Sequence, residues 1–186
     1  MGGNLTILGL NHFGPENPTG TVNPGGKVVD GSMRWESTIT TAWKYNDNLT
    51  LTNDINFARD VGFNANAYGM AQYVSYALNN TFTLQFRGEL WRDDKGFFVA
   101  SFPGPLDSLR ALTGQPNGSI SLFPRGTTYG ALTLGVNIKN ALPDPLGTLL
   151  IRPEIRYDTT TSGARPFNNG RSSNSFTIGA DLIVSF

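Results

Sequence analysis

Apolar side chains recur at every second position along most of this chain, and each run lasts about the ten residues that a tilted strand needs to cross a bilayer core. In the closing segment TIGADLIVSF, Phe176, Ile178, Ala180, Leu182, Val184 and Phe186 share one face, opposite Thr177, Gly179, Asp181 and Ser185. A soluble sandwich usually ends in a frayed polar tail. Here the last residue continues the apolar face, which predicts an ordered apolar setting, either a packed core or lipid.

The segment LLIRPEIRYD separates the two. Leu149, Ile151, Pro153, Ile155 and Tyr157 share one face, and the four intervening positions are Arg152, Glu154, Arg156 and Asp158. A dry core would not accept four successive charges. Were they turned to water instead, the apolar face would still need a cover. The same alternation sets Leu132, Leu134, Val136 and Ile138 against Thr133, Asn137 and Lys139, and Phe82, Leu84, Phe86 and Leu90 against Thr83, Gln85, Arg87 and Glu89. It sets Trp35, Ile39, Trp43 and Tyr45 against Arg34, Glu36, Thr38, Thr40 and Lys44. Two runs are interrupted: Asn53 falls on the face of Leu49, Leu51, Ile55 and Phe57, and Gln72 on the face of Tyr68, Met70, Val74 and Tyr76. NLTILGLNHF shows no decisive face and is taken as a strand from its position.

These runs predict eight strands. Their connections alternate between short turns (NDN, NN, NALPDPLGT) and long loops (GPENPTGTVNPGGKVVDG, residues 92–126, TTTSGARPFNNGRSS), with one short link near Asp60 to Ala65 on the long-loop side. Aromatic residues gather near both ends of the strands, Trp35, Tyr157 and Phe176 beside long loops and Trp43, Tyr45, Phe82 and Phe186 beside short turns or the terminus. The pattern predicts an all-β protein, an antiparallel up-and-down transmembrane β-barrel of about eight strands, or part of a larger barrel. Residues 1–186 then form a single barrel domain.

Composition agrees. Hydrophobic residues are 39% and charged residues only 15% of the chain, the balance being filled by glycine and small polar residues. The formal net charge is zero, which gives no electrostatic argument for nucleic acid as a partner. Without cysteine there is neither a disulfide framework nor a thiolate metal site. MGGNLTILGL lacks a basic n-region, so a secreted protein would need its signal outside this sequence.

The candidate functional residues are the ionised positions facing away from the apolar side: Arg34, Glu36, Lys44, Asp54, Arg87, Glu89, Lys139, Arg152, Glu154, Arg156, Asp158 and Asp181. Basic and acidic members balance, so no ion selectivity follows. They can line a channel, or fill the lumen of a small barrel with salt bridges. Pairing across the last hairpin predicts that Asp181 meets Arg152. In the 92–126 connection, Phe97, Phe98, Leu106 and Arg110 are candidates for a constriction loop, with PLDSLRALTG as a short helix; a cap over the rim or against a neighbouring subunit is the other reading. The carboxylates of RDD at 92–94 and PDP at 143–145 read as solvated turn residues. His12 is the only histidine and no serine stands in a nucleophile setting, so the chain reads as non-enzymatic, with no cofactor and no metal.

IRPEIRYD at 151–158, FRGELWRDDKG at 86–96, LGLNHFGPE at 8–16 and the closing alternation together resemble the OmpL-like β-barrel porins of Gram-negative outer membranes. The resemblance implies passive diffusion of small polar solutes through a polar lumen, with the lipid bilayer as surroundings. It also implies an outer-membrane assembly machinery that reads the terminal strand through Phe176, Ile178, Leu182, Val184 and Phe186. Asp181 departs from the pattern, because that position is often a small residue. Members of the family are longer, so the chain would correspond to the C-terminal half of such a porin. A non-conducting structural or adhesive barrel acting through its long extracellular loops is the alternative, and a soluble ligand-carrying barrel a third; a homo-oligomer is left open.

Overall fold

The computed structural model describes residues 4–99, 126–142, 147–168 and 171–185. It contains eight strands, β1 (Leu5–Pro15), β2 (Met33–Lys44), β3 (Leu49–Asp60), β4 (Ala65–Ala77), β5 (Phe82–Asp93), β6 (Thr127–Ala141), β7 (Thr148–Thr160) and β8 (Asn174–Ser185). They lie in one sheet in chain order, each antiparallel to the next. The expected meander is therefore present, including β1, which no face pattern had marked. The sheet is open, with β1 and β8 as its two edges. The helix expected in PLDSLRALTG, the carboxylate of the PDP turn and the terminal Phe186 lie outside the described residues.

Two of the short turns use the same chemistry. The Asn46 side-chain oxygen accepts the backbone N–H groups of Asn48 and Leu49 at 2.9 and 2.8 Å. Asn79 does the same for Thr81 and Phe82, both at 2.9 Å. An asparagine that closes its own turn in this way fixes the hairpin register on either side. The β3–β4 link is equally tight, with Asn64 in the left-handed region at φ 49°.

Each of the seven ladders keeps one constant register from end to end, without a bulge. The parity of the first pairing therefore propagates across the sheet, and all eight strands agree on which positions share a face. On one face stand the runs Trp35/Ile39/Trp43, Leu49/Leu51/Ile55/Phe57, Phe82/Leu84/Phe86/Leu90, Leu132/Leu134, Ile151/Ile155/Tyr157 and Phe176/Ile178/Leu182/Val184. This apolar face is uncovered: Ile178 is 75% and Leu182 68% exposed, and Ile155 and Val184 are exposed as well. A soluble carrier would turn these residues inward. The buried hydrophobic residues among those described are few and small, Val29, Ala58, Ala65, Ala67, Ala71 and Ala131, so the described residues place no large core behind the sheet.

The two interruptions of the apolar pattern explain one another. Asn53 and Gln72 are direct partners in the β3–β4 register. The Asn53 amide points at the Gln72 oxygen at 3.5 Å and at the Ala71 carbonyl at 3.4 Å, and the Gln72 amide donates to the carbonyls of Thr52 (2.9 Å) and Tyr73 (3.0 Å). Two polar side chains on an apolar face are tolerable when each supplies the other's partner. At Pro153, an interior-strand proline that carries no N–H, the β6–β7 ladder loses its pairs opposite Val136 and Asn137 yet resumes in the same register.

Replacing Gln72 by leucine should destabilise the folded protein by about 1 kcal/mol, because Asn53 loses its neighbour, whereas the double change N53L/Q72L should be nearly neutral. Urea unfolding in lipid vesicles measures both. Equal losses in the single and double variants would show that the pair is not an energetic unit.

Candidate functional site

The opposite face carries the ionised side chains of β2, β3 and β5 to β8, with mostly small residues along β4 and with Leu8 and Leu10 on the edge strand β1. Through the ladders, Arg34, Glu36 and Lys44 of β2, Asp54 of β3, Arg87 and Glu89 of β5, Lys139 of β6, Arg152, Glu154, Arg156 and Asp158 of β7 and Asp181 of β8 all lie on this one face. The strands bring several of them together. Arg152 Nε donates to Asp181 Oδ1 at 2.8 Å and its Nη2 to Oδ2, so the expected cross-hairpin contact is present. Glu89 bridges two arginines: its carboxylate meets Arg87 on its own strand and Arg156 two strands away. On β6 the register partner of Glu89 is Ala131 and that of Arg156 is Thr133, so the contact runs diagonally past the small Ala131. Arg156 also pairs with Asp158, Nε to Oδ1 at 2.9 Å, and reaches Thr133 Oγ1 at 3.3 Å. The Arg87 guanidinium lies 5.1 Å from the centre of the Tyr73 ring.

Around this ladder is a hollow of about 580 Å³ bordered by Tyr73, Gln85, Arg87, Thr133, Asn137 and Arg152. On β2 and β3 the pairs are uncharged or mixed, Thr40 Oγ1 donating to Asp54 at 2.6 Å and Thr38 Oγ1 to Asn56 at 2.7 Å. Lys44 meets Asp47 in the exposed turn at 3.1 Å. Glu36, Lys139 and Glu154 have no salt bridge among the described residues.

At the long-loop end the polar face is covered. Asp60, the last residue of β3, is fully buried. Its Oδ2 accepts Arg34 Nε at 3.1 Å and Nη2 at 2.9 Å and the Asn17 amide at 3.3 Å, while Oδ1 accepts the Phe63 N–H at 2.9 Å. Asn17 belongs to the loop after β1, and its oxygen accepts a further bond from Arg34 at 3.0 Å. That loop packs Val29 against Gly62, where any Cβ would lie 2.6 Å from the valine Cβ, so glycine is required by space.

Asp93, at the end of β5, is fully buried too. It accepts four backbone N–H groups: Lys95 at 3.3 Å and Phe97 at 3.0 Å on Oδ1, Phe98 at 2.7 Å and Val99 at 2.9 Å on Oδ2. This winds the start of the β5–β6 connection around one carboxylate and aims it over the polar face. Phe97 stacks on Phe63 with ring centres 4.7 Å apart, and the Arg34 guanidinium, three strands from β5, sits 5.1 Å from Phe97 and 5.9 Å from Phe98.

The expectation that the carboxylates of RDD are solvated is thereby corrected. Asp93 is buried among backbone donors, and Asp94 accepts the N–H and side-chain amide of Asn66 at 2.8 and 3.0 Å. Asp60 and Asp93 were missed as site residues, although the signal was available: each continues the polar parity of its strand, from Asp54 and Glu89 respectively. Phe97 and Phe98 lie over the polar face; Leu106 and Arg110 lie outside the described residues. His12 binds Glu16 at 2.7 Å on the edge strand, on the face of Glu36.

An antiparallel meander of membrane-length strands, apolar on one face and ionised on the other, defines a membrane β-barrel protein. Residues 1–186, the whole chain, match the family described as "Putative beta-barrel porin-2, OmpL-like", and the chain belongs to that family. Membership carries with it a porin-like transport role and an outer-membrane location. No curated protein and no solved structure matches the chain.

Replacing Asp93 by alanine should strand several buried backbone donors and lower unfolding stability by about 3 kcal/mol, with new protease cleavage within residues 95–99. Asp93→Asn, which keeps an acceptor, should cost less. Unchanged cleavage in the alanine variant would mean that the carboxylate does not hold the loop.

Proposed function

We propose that this chain forms the wall of a porin in the outer membrane of a Gram-negative bacterium, and that water and small polar solutes diffuse passively along its polar face. The observation that carries this reading is parity. The twelve ionised side chains named above, together with Asp60 and Asp93, stand on one face of the eight-stranded sheet, while the other face is predominantly apolar and uncovered. In a bilayer only one arrangement suits such a sheet, hydrocarbon against the apolar face and water against the charges. The twelve residues are then lumen-lining, and no chemistry is asked of them.

A sheet edge left open in lipid would expose unpaired backbone groups. The reading therefore includes closure of β1 and β8 by backbone pairing with further strands. Residues 1–186 then make one section of barrel wall, the C-terminal part of a longer porin, with Phe176, Ile178, Leu182 and Val184 of β8 offering the alternating signal to the assembly machinery. The start of the β5–β6 connection, held by Asp93 and laid against Arg34 and Phe63, narrows the mouth.

Liposomes carrying the folded protein should swell in sugars at rates that fall steeply with solute size. A folded preparation that admits no sugar at all would turn the reading to a non-conducting barrel acting through its loops. For the constriction, F97A/F98A should raise single-channel conductance, and conductance unchanged after deletion of residues 97–123 would reject it.

A further inference from the structure

On the polar face of the strands, Arg34, Arg87, Arg152 and Arg156 each have a carboxylate partner. The apolar face carries just two charged strand residues, Arg59 and Arg92, and neither meets a carboxylate among the described residues. Arg59 donates only to neutral oxygens, those of Asn66 at 2.7 Å and Asn64 at 3.3 Å. Arg92 donates to Thr128 Oγ1 at 3.3 Å. Both stand at the long-loop ends of their strands, on either side of β4, where Trp35 is the register partner of Arg59 and Tyr68 that of Arg92. That is the level of the aromatic girdle, where headgroups begin. Two strand spacings separate them, about 10 Å.

Immediately beneath Arg92 a shallow groove of about 600 Å³ runs down the apolar face, bordered by Ile55, Tyr68, Met70, Leu90 and Thr128. It adjoins a second furrow of about 410 Å³, which exists because Gly88 and Gly130 put no side chain on the face between Leu90 and Leu132. Two uncompensated guanidiniums above an apolar trough match one ligand chemistry, an anionic headgroup with an attached acyl chain. Among anions at that depth, phosphate suits the planar donor fork of arginine.

We propose that Arg59 and Arg92 bind the phosphate groups of a phosphorylated lipid in the leaflet on the long-loop side, with an acyl chain lying in the Leu90 groove. The proposal rests on the apolar face meeting lipid and is independent of conduction.

The test titrates the protein, folded in neutral detergent, with diphosphorylated lipid A and counts retained lipid by native mass spectrometry. Wild type should retain it, should bind the same lipid stripped of its phosphates about tenfold more weakly, and should not release it to an equal concentration of inorganic phosphate. R59Q/R92Q should lose a similar factor, and Gly130→Leu should weaken binding with both arginines in place. Folding is checked by heat-modifiable gel migration, and sugar-driven swelling of R59Q/R92Q liposomes should match wild type. Equal retention of the phosphorylated and stripped lipids by wild type would overturn the proposal without any variant, as would displacement by inorganic phosphate. A protein that needs no detergent to stay soluble would instead refute the membrane reading beneath it.

Discussion

Hydrocarbon offers no partner to a peptide group, so every backbone donor and acceptor that enters it must be satisfied by the protein itself. The rest of this structure follows from that requirement. Strands of eleven to fifteen residues supply the ladders, tight asparagine turns join neighbours directly, and the pleat then forces side chains alternately to opposite sides. Where the requirement is locally broken, as at Pro153, the flanking pairs retain their register.

Once the two sides exist, charge is distributed according to the surroundings each side meets. Ionised groups on the polar side neutralise one another across strands, through Arg152 with Asp181 and through Glu89 with Arg87 and Arg156. Such partly exposed pairs contribute little to stability individually. Their effect is to set opposite charges beside one another on the polar side. The deeply buried carboxylates, Asp60 and Asp93, have another task. Each gathers donors from a loop and ties it down over the polar face, so that the buried side chains among the described residues are concentrated toward the long-loop end.

Much of this was legible in the chain, because a period of two is a local property that needs no knowledge of neighbours. Arg152, Glu154, Arg156 and Asp158 announce their shared face within one strand. Properties that depend on register were not legible in the same way. Asn53 and Gln72 looked like flaws in separate strands until the β3–β4 pairing set them side by side. β1 has no clear face because Leu8 and Leu10 stand on the polar side of an edge strand, beside His12. Asp93 looked solvated because its donors come from the loop that it organises and its burial depends on how that loop folds. Asp60 was overlooked because its partners, Arg34 and Asn17, belong to a different strand and a different loop.

The unbroken registers also govern how such a sequence can change over time. Inserting a single residue inside any strand would exchange greasy for ionised positions along the remainder of that strand, and the neighbouring ladders would inherit the mismatch. Two inserted residues would lengthen the strand and leave the sides as they were. Insertions inside a strand therefore keep the two sides only when they come in pairs or when a bulge absorbs the extra residue, whereas the connecting loops can gain or lose residues one at a time.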